Sequence, residues 1–373
     1  MSGPRILIAA GGTGGHVYPA IAIADELKEL KNSVEFLFVG TRDRMEWDAV
    51  PKAGYRIESI WISGFHRRLT PKNLAFPLKL LVSLMQSRSI IKQFKPDLVL
   101  SCGGFAAGPI GWVAGKNQIP ICIQEQNSFP GWTNRKLGPN AVRVYTAFEE
   151  AEKYFDKEKV RLYGNPVRNK LTGVTRQEAA DLWNLNSGRS TLLVLGGSGG
   201  ALTVNQAMIR HIKQLHDKLG VQIIWQCGKH YYEKIISEIN PVNFPNLRLQ
   251  AFIDDMSSAY AIADLAVSRA GAISCAELKL TGTPSILIPS PNVAGDHQTK
   301  NANEMVTKGA AQMLRDEDAE AKLANRVTEL FGYADRLKKM HENAIKLSKP
   351  EATRHIAEDM LSLITPEPKK TEA

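Results

Sequence analysis

Residues 5–27, RILIAAGGTGGHVYPAIAIADEL, run from a short apolar strand through a glycine loop into an amphipathic helix, and residues 191–212, TLLVLGGSGGALTVNQAMIRHI, repeat that plan. Two copies of a βαβ opening in one chain predict two Rossmann-like domains. Downstream of the first opening, strands are expected at 34–39, 97–101, 119–123 and 142–145. Downstream of the second they are expected near 221–226, 247–251, 263–268 and 285–288. Strands alternating with helices imply parallel sheets covered on both faces, with ligands at the carboxyl ends of the strands.

A chain of 373 residues, 43% hydrophobic, is long enough for two cores. The join is expected at Gly164-Asn165-Pro166-Val167, giving domains over 1–163 and 164–349. A last helix near 350–364 would pack back on the first domain, and a tail over 365–373 reads as disordered. The start lacks the apolar segment and small-residue cleavage site of an export signal, and apolar runs are broken by charge far short of the roughly 20 residues a membrane span needs. Cys102, Cys122, Cys227 and Cys275 lack metal-ligand spacing and read as reduced thiols. A net charge of +9 favours phosphate-bearing or membrane partners, with simple solubility as the alternative.

Glycine loops between strand and helix let backbone N–H groups approach phosphate oxygens. The dinucleotide fingerprint is incomplete in both loops, with Val17 and Leu202 where a third glycine belongs, and Val39-Gly40-Thr41 lacks the acid that would hold an NAD ribose. This disfavours a nicotinamide enzyme. His16 closes the first loop at a helix start, where a neutral imidazole beside a phosphate would accept a proton from an attacking hydroxyl; capping or packing is the alternative. Ala201 takes its place in the second loop. The segment Ser268–Glu277 enters a helix from a strand, and Ser274-x-x-Glu277 reads either as a capping box or as a ribose site. Asp296-His297-Gln298 suits sugar hydroxyls. Asp316-Glu317-Asp318 has the D-x-D form of a metal motif but precedes a helix, where acids meet the helix dipole, so no metal or other cofactor is expected. Residues 65–79 mix Phe65, Leu74 and Phe76 with Arg67, Arg68, Lys72 and Lys79, suiting an anionic membrane surface, whereas Leu81, Leu84 and Ile91 are expected in the core.

Taken in order, GGTGGHVYPA (11–20), CGGFAAGP (102–109), QEQN (124–127), GNPVR (164–168), GGSGGA (196–201), FIDDM (252–256), SRAGAISCAEL (268–278) and DHQ (296–298) resemble the MurG family of bacterial N-acetylglucosaminyltransferases. Each segment is a weak signal alone; their joint order is specific and spans nearly the whole chain. The resemblance implies the GT-B architecture, with two domains across a cleft, the acceptor on the N-terminal one and UDP-N-acetylglucosamine chiefly on the other. It implies that Thr13, Gly14 and Gly15 line the donor sugar and diphosphate, that Asn127 reaches the N-acetylglucosamine, and that Arg168 and Ser198 contact the diphosphate. Ile253 would meet uracil; Ala272, Ile273, Ser274, Cys275, Ala276 and Glu277 would hold phosphate and ribose; Gln298 would bind sugar hydroxyls. Gly103 and Gly104 would cradle the diphosphate of an undecaprenyl-linked muramyl-pentapeptide acceptor. Family members often carry His at the position of Gln124 and Gln at that of His297. His16 is the candidate base and Glu125 its reserve. The implied enzyme is an inverting, metal-independent transferase, peripheral on the cytoplasmic face of the cell membrane, without nucleic acid and alongside other cell-wall synthesis proteins. A UDP-N-acetylglucosamine epimerase of the same architecture, or a non-catalytic basic protein, is the rival.

Overall fold

A computed structural model describes residues 3–64, 75–168, 171–197, 199–293 and 296–364. The chain divides into a unit of Met1–Arg168 with Glu351–Ala373 and a unit of Asn169–Pro350. In the first, among the described residues, β1 (Arg5–Ala10), β2 (Glu35–Gly40), β3 (Ile57–Ser59), β4 (Leu98–Gly103), β5 (Ile121–Glu125), β6 (Arg143–Thr146) and β7 (Val160–Leu162) form one sheet in the order β3-β2-β1-β4-β5-β6-β7. In the second, β8 (Thr191–Leu195), β9 (Gln222–Gln226), β10 (Leu247–Gln250), β11 (Leu265–Ser268), β12 (Ser285–Leu287) and β13 (Ala311–Met313) follow the order β10-β9-β8-β11-β12-β13. Every pairing is parallel. The short strands β3, β7 and β13 have no counterpart in the sequence reading, whereas the equally short β12 is expected near 285–288.

Alternation along β1 places Ile6 and Ile8 in the core on one face of the sheet and Leu7 and Ala9 in that on the other. Both sheets reverse direction of progress beside their first strand, at β1/β4 and at β8/β11. Those switch points open a crevice at the carboxyl ends, and the glycine loops after β1 and β8 lie there.

The division between units falls after Arg168, not before Gly164. Gly164–Arg168 stay with the first unit because Asn165 Nδ2 donates to the Gln126 carbonyl at 3.0 Å, and the Val167 N–H donates to Thr353 Oγ1 at 3.2 Å. The helix Ala352–Ile364 lies on the helix Gly14–Leu30 and gives Ile356, Ala357 and Met360 to the first core. Asp359 anchors it, accepting from Arg143 Nε at 3.0 Å and from the Tyr145 hydroxyl at 2.8 Å. Burial, with the Cys122 thiol and Asp359 beside it, pushes the Tyr145 phenol well above its ordinary range.

Asp359→Ala would leave the half-buried Arg143 and the fully buried Tyr145 without this acceptor. The expected cost is about 2–3 kcal/mol to the first unit, read as a lower urea midpoint of its unfolding transition. An unchanged midpoint would show that the helix is held by apolar packing alone.

Candidate functional site

At the β1/β4 switch point two glycine loops meet backbone to backbone. Gly104 has φ +89°, and a Cβ there would lie 2.3 Å from the Gly11 carbonyl oxygen. Gly103 has φ +98°, and its Cβ would lie 3.0 Å from the His16 ring. Only glycine admits both the left-handed conformation and the approach.

His16 occupies the first turn of the helix Gly14–Leu30, whose N-cap is Thr13. Its Nδ1 is 2.9 Å from the Gly11 carbonyl oxygen. A carbonyl can only accept, so Nδ1 carries the proton and Nε2 is the acceptor of the neutral ring. The Thr13 carbonyl receives the His16 and Val17 N–H groups at 3.1 and 3.2 Å. A Cβ at Gly14 would sit 3.2 Å from the Tyr18 ring, a tight approach, whereas one at Gly15 would make only ordinary contact with Thr13 Oγ1 at 3.6 Å.

Arg168 lies in this unit, its guanidinium 4.3 Å from the centre of the Tyr18 ring, and its Nε is buried without a hydrogen-bond partner among the described residues. A cation held on an aromatic face two residues from His16 suits an anion at the first loop.

Glu125 is occupied in a different way. It is buried, and its carboxylate accepts from the Asn127 N–H at 3.0 Å, Asn127 Nδ2 at 3.3 Å, the Gly131 N–H at 3.1 Å and Asn134 Nδ2 at 2.9 Å. Four donors on two oxygens make it the anchor of the turn that carries Asn127, and they argue against its use as the reserve base. Asn127 keeps Oδ1 as the group able to accept from a sugar hydroxyl.

The second unit repeats the loop-on-loop contact: a Cβ at Gly228 would fall 2.5 Å from the Cα of Gly200. Gln226, which the sequence reading passed over, ties this region together. Its Nε2 donates to the Gly197 carbonyl at 3.1 Å, and its Oε1 accepts the Ile253 N–H at 2.9 Å. A uracil contact through that N–H would require Gln226 to swing away. Ser198 lies outside the described residues.

The helix after β11 runs Ala272–Thr281 from an N-cap at Gly271 without a side-chain cap. The capping-box reading of Ser274 and Glu277 is therefore wrong: Ser274 is already in the first turn, and Glu277 Oε2 accepts from the Tyr260 hydroxyl at 3.0 Å. The amides of Ala272, Ile273 and Ser274 form the helix's first turn, where an anion is favoured. The Cys275 N–H donates to the Gly271 carbonyl at 2.9 Å, and Ala276 follows it into the helical ladder, so neither offers a backbone donor to phosphate. The buried Cys275 thiol is pushed up to about 12, chiefly by desolvation, and is chemically quiet. Gln298 Oε1 accepts from the Ser290 N–H at 2.8 Å, leaving Nε2 to donate to a sugar.

Asp316 takes the Thr203 hydroxyl at 3.0 Å and pairs with Arg269. Lys322 beside Asp318, 2.9 Å away, holds that carboxyl below its ordinary range, with Arg315 adding to the effect. The D-x-D triplet thus forms a turn of 3-10 helix leading into Ala319–Phe331. Among the described residues, no group of three or more His, Cys, Asp or Glu could hold a metal ion.

Gly104→Ala and Gly12→Ala compare strain with contact. Both have positive φ, but the space around Gly12 is open. Gly12→Ala is expected to cost about 1 kcal/mol, and Gly104→Ala at least about 2–3 kcal/mol because backbone must move. Equal costs in denaturant unfolding would mean that the loops do not rest on one another.

Residues 6–146 match the glycosyltransferase family 28 N-terminal domain, and residues 191–357 match the glycosyltransferase family 28 C-terminal domain. A protein of Christiangramia forsetii, the UDP-N-acetylglucosamine–N-acetylmuramyl-(pentapeptide) pyrophosphoryl-undecaprenol N-acetylglucosamine transferase, is 44% identical over 97% of this chain and 98% of its own. The protein of that name in Flavobacterium psychrophilum is 43% identical over 96% and 98%. The crystal structure of Acinetobacter baumannii MurG superposes with a TM-score of 0.72 at 28% identity, covering 96% of this chain and 99% of that one. With two parallel α/β units, family 28 patterns in both halves and this identity over almost its full length, the chain belongs to the MurG family of GT-B glycosyltransferases.

Proposed function

We propose that the protein transfers N-acetylglucosamine from UDP-N-acetylglucosamine to the 4-hydroxyl of the muramyl residue of undecaprenyl-pyrophosphoryl-N-acetylmuramyl-pentapeptide, with inversion. The observation that carries this reading is the His16 ring: Nδ1 bonds to the Gly11 carbonyl, which leaves Nε2 as the acceptor in the neutral form, beside two glycine loops. In a single displacement the hydroxyl oxygen attacks the anomeric carbon, its proton passes to His16 Nε2, and the bond to UDP breaks. Negative charge growing on the leaving diphosphate would meet the first-turn amides of Ala272–Ser274 in the second unit, dipoles already oriented before reaction. In the second unit Glu277 would hold the ribose hydroxyls and Gln298 the sugar. The epimerase reading gives way because relatives at 43–44% identity over nearly the whole chain carry the transferase name.

His16→Gln is expected to lower kcat on a lipid-linked muramyl acceptor roughly 10²- to 10⁴-fold while UDP affinity stays within about twofold. Unchanged turnover in the folded variant would remove His16 as the base.

The acceptor's lipid favours a membrane face. Phe65, Arg67, Arg68, Lys72 and Leu74 lie outside the described residues. Phe76 is half-buried, and Lys79 is committed to Ser63 Oγ at 3.0 Å and to the Trp61 ring. The helix Phe76–Phe94 corrects the sequence reading. It turns Ser83, Ser87, Ile90 and Ile91 inward, while Leu81, expected in the core, is 58% exposed with Leu78 and Met85 at helical spacing beside it. A helix whose first half turns Leu78, Leu81 and Met85 outward suits a lipid surface. No helix among the described residues is long and apolar enough to cross a membrane. We place the enzyme peripherally on the cytoplasmic leaflet.

Leu78→Ser/Leu81→Ser/Met85→Ser is expected to cut binding to anionic vesicles at least tenfold, since each side chain withdrawn from water contributes roughly 1.5 kcal/mol or more. Wild-type binding should weaken as salt rises. Vesicle binding indifferent to the triple substitution would contradict this face.

A further inference from the structure

Glu46, on the helix after β2, is completely buried. Its hydrogen bonds among the described residues come from the Thr41 N–H at 3.0 Å, Thr41 Oγ1 at 2.9 Å and the Gly12 N–H at 3.0 Å. No cation is among these partners. Burying a carboxylate without one is costly, and an amide or apolar side chain would serve plain stability better. What a carboxylate alone supplies is two acceptor-only oxygens, one for each loop. Its surroundings are shaped to admit it: a Cβ at Gly11 or at Gly40 would lie 2.5 Å from Glu46 atoms.

The chain of contacts leads to His16. Glu46 Oε2 holds Gly12, the residue next to Gly11, and Gly11 O fixes the His16 ring from 2.9 Å. Gly104 of the second loop rests against the Gly11 backbone. We propose that Glu46 is a positioning residue for transfer: by drawing the Gly12 N–H inward it sets the Gly11 carbonyl that keeps the proton on His16 Nδ1 and the acceptor on Nε2. The catalytic part of this rests on the reading of His16 as base. The same bond withdraws the Gly12 amide from any ligand, leaving anion contacts to the amides that follow it.

Glu46→Gln retains size and one acceptor oxygen, so it can still receive the Thr41 donors, but it turns an N–H toward the Gly12 N–H. In the full-length variant, kcat on the lipid-linked muramyl acceptor is expected to fall roughly 10- to 100-fold, as a displaced catalytic group costs. UDP affinity should stay within about twofold, and in a His16→Gln background the substitution should add little further loss. Nitrogen-15 spectra of labelled histidine should show wild-type His16 as the Nδ1–H tautomer and Glu46→Gln as a mixture. A folded Glu46→Gln with the wild-type tautomer and turnover would overturn the proposal. Activity retained by His16→Gln would instead sink the base reading, while the tautomer shift would still decide the role of Glu46. Should Glu46→Gln fail to fold, hydrogen exchange of wild-type Gly12 decides: a slowly exchanging amide in the unliganded protein supports the bond, and exchange at the rate of an exposed amide refutes it.

Discussion

The contact between Gly104 and Gly11, backbone against backbone, is the constraint on which the N-terminal site depends. It brings the loops after β1 and β4 closer than any side chain would allow, and each residue near the proposed chemistry is placed relative to it. His16 packs over Gly103 and bonds to Gly11; Thr13 starts the helix; Arg168 stacks on Tyr18 of that helix. Glu46 and the second loop both hold the first. The histidine's tautomer follows from backbone geometry, so proton acceptance at Nε2 needs no neighbouring carboxylate to orient the ring.

The second unit uses the same packing of glycine loops for a different purpose. Gly228 rests on Gly200 as Gly104 rests on Gly11, but Ala201 stands where the first loop has its histidine. Gln226, at the end of β9, bonds to its glycine loop as Glu46 on its helix bonds to the first, yet it is neutral and both donates and accepts. One duplicated plan thus carries a histidine at the end of one glycine loop and an alanine at the end of the other.

The sheets were legible in the sequence because buried parallel strands are continuous apolar runs, and the loops were legible because paired glycines at a strand end mark a tight turn into a helix. Legibility ended where a role depends on which face a residue turns. Leu81 fits a core position in the helical period, and only the inward serines at 83 and 87 reveal that the large residues face out. Ser274 and Glu277 have capping-box spacing, but Gly271 starts the helix three residues earlier. Glu46 had no signal: an acid six residues beyond a strand looks like any surface acid until the chain tucks it under the loop. Glu125 read as a spare base because a string of letters does not show that four N–H groups already fill it.

The role of His16 is tested most directly by a crystal structure with UDP and a short-chain lipid-linked muramyl acceptor bound. His16 Nε2 is expected within about 2.6–3.2 Å of the muramyl 4-oxygen, with Nδ1 still on the Gly11 carbonyl. An acceptor hydroxyl directed to another group, with His16 turned away from it, would contradict that role.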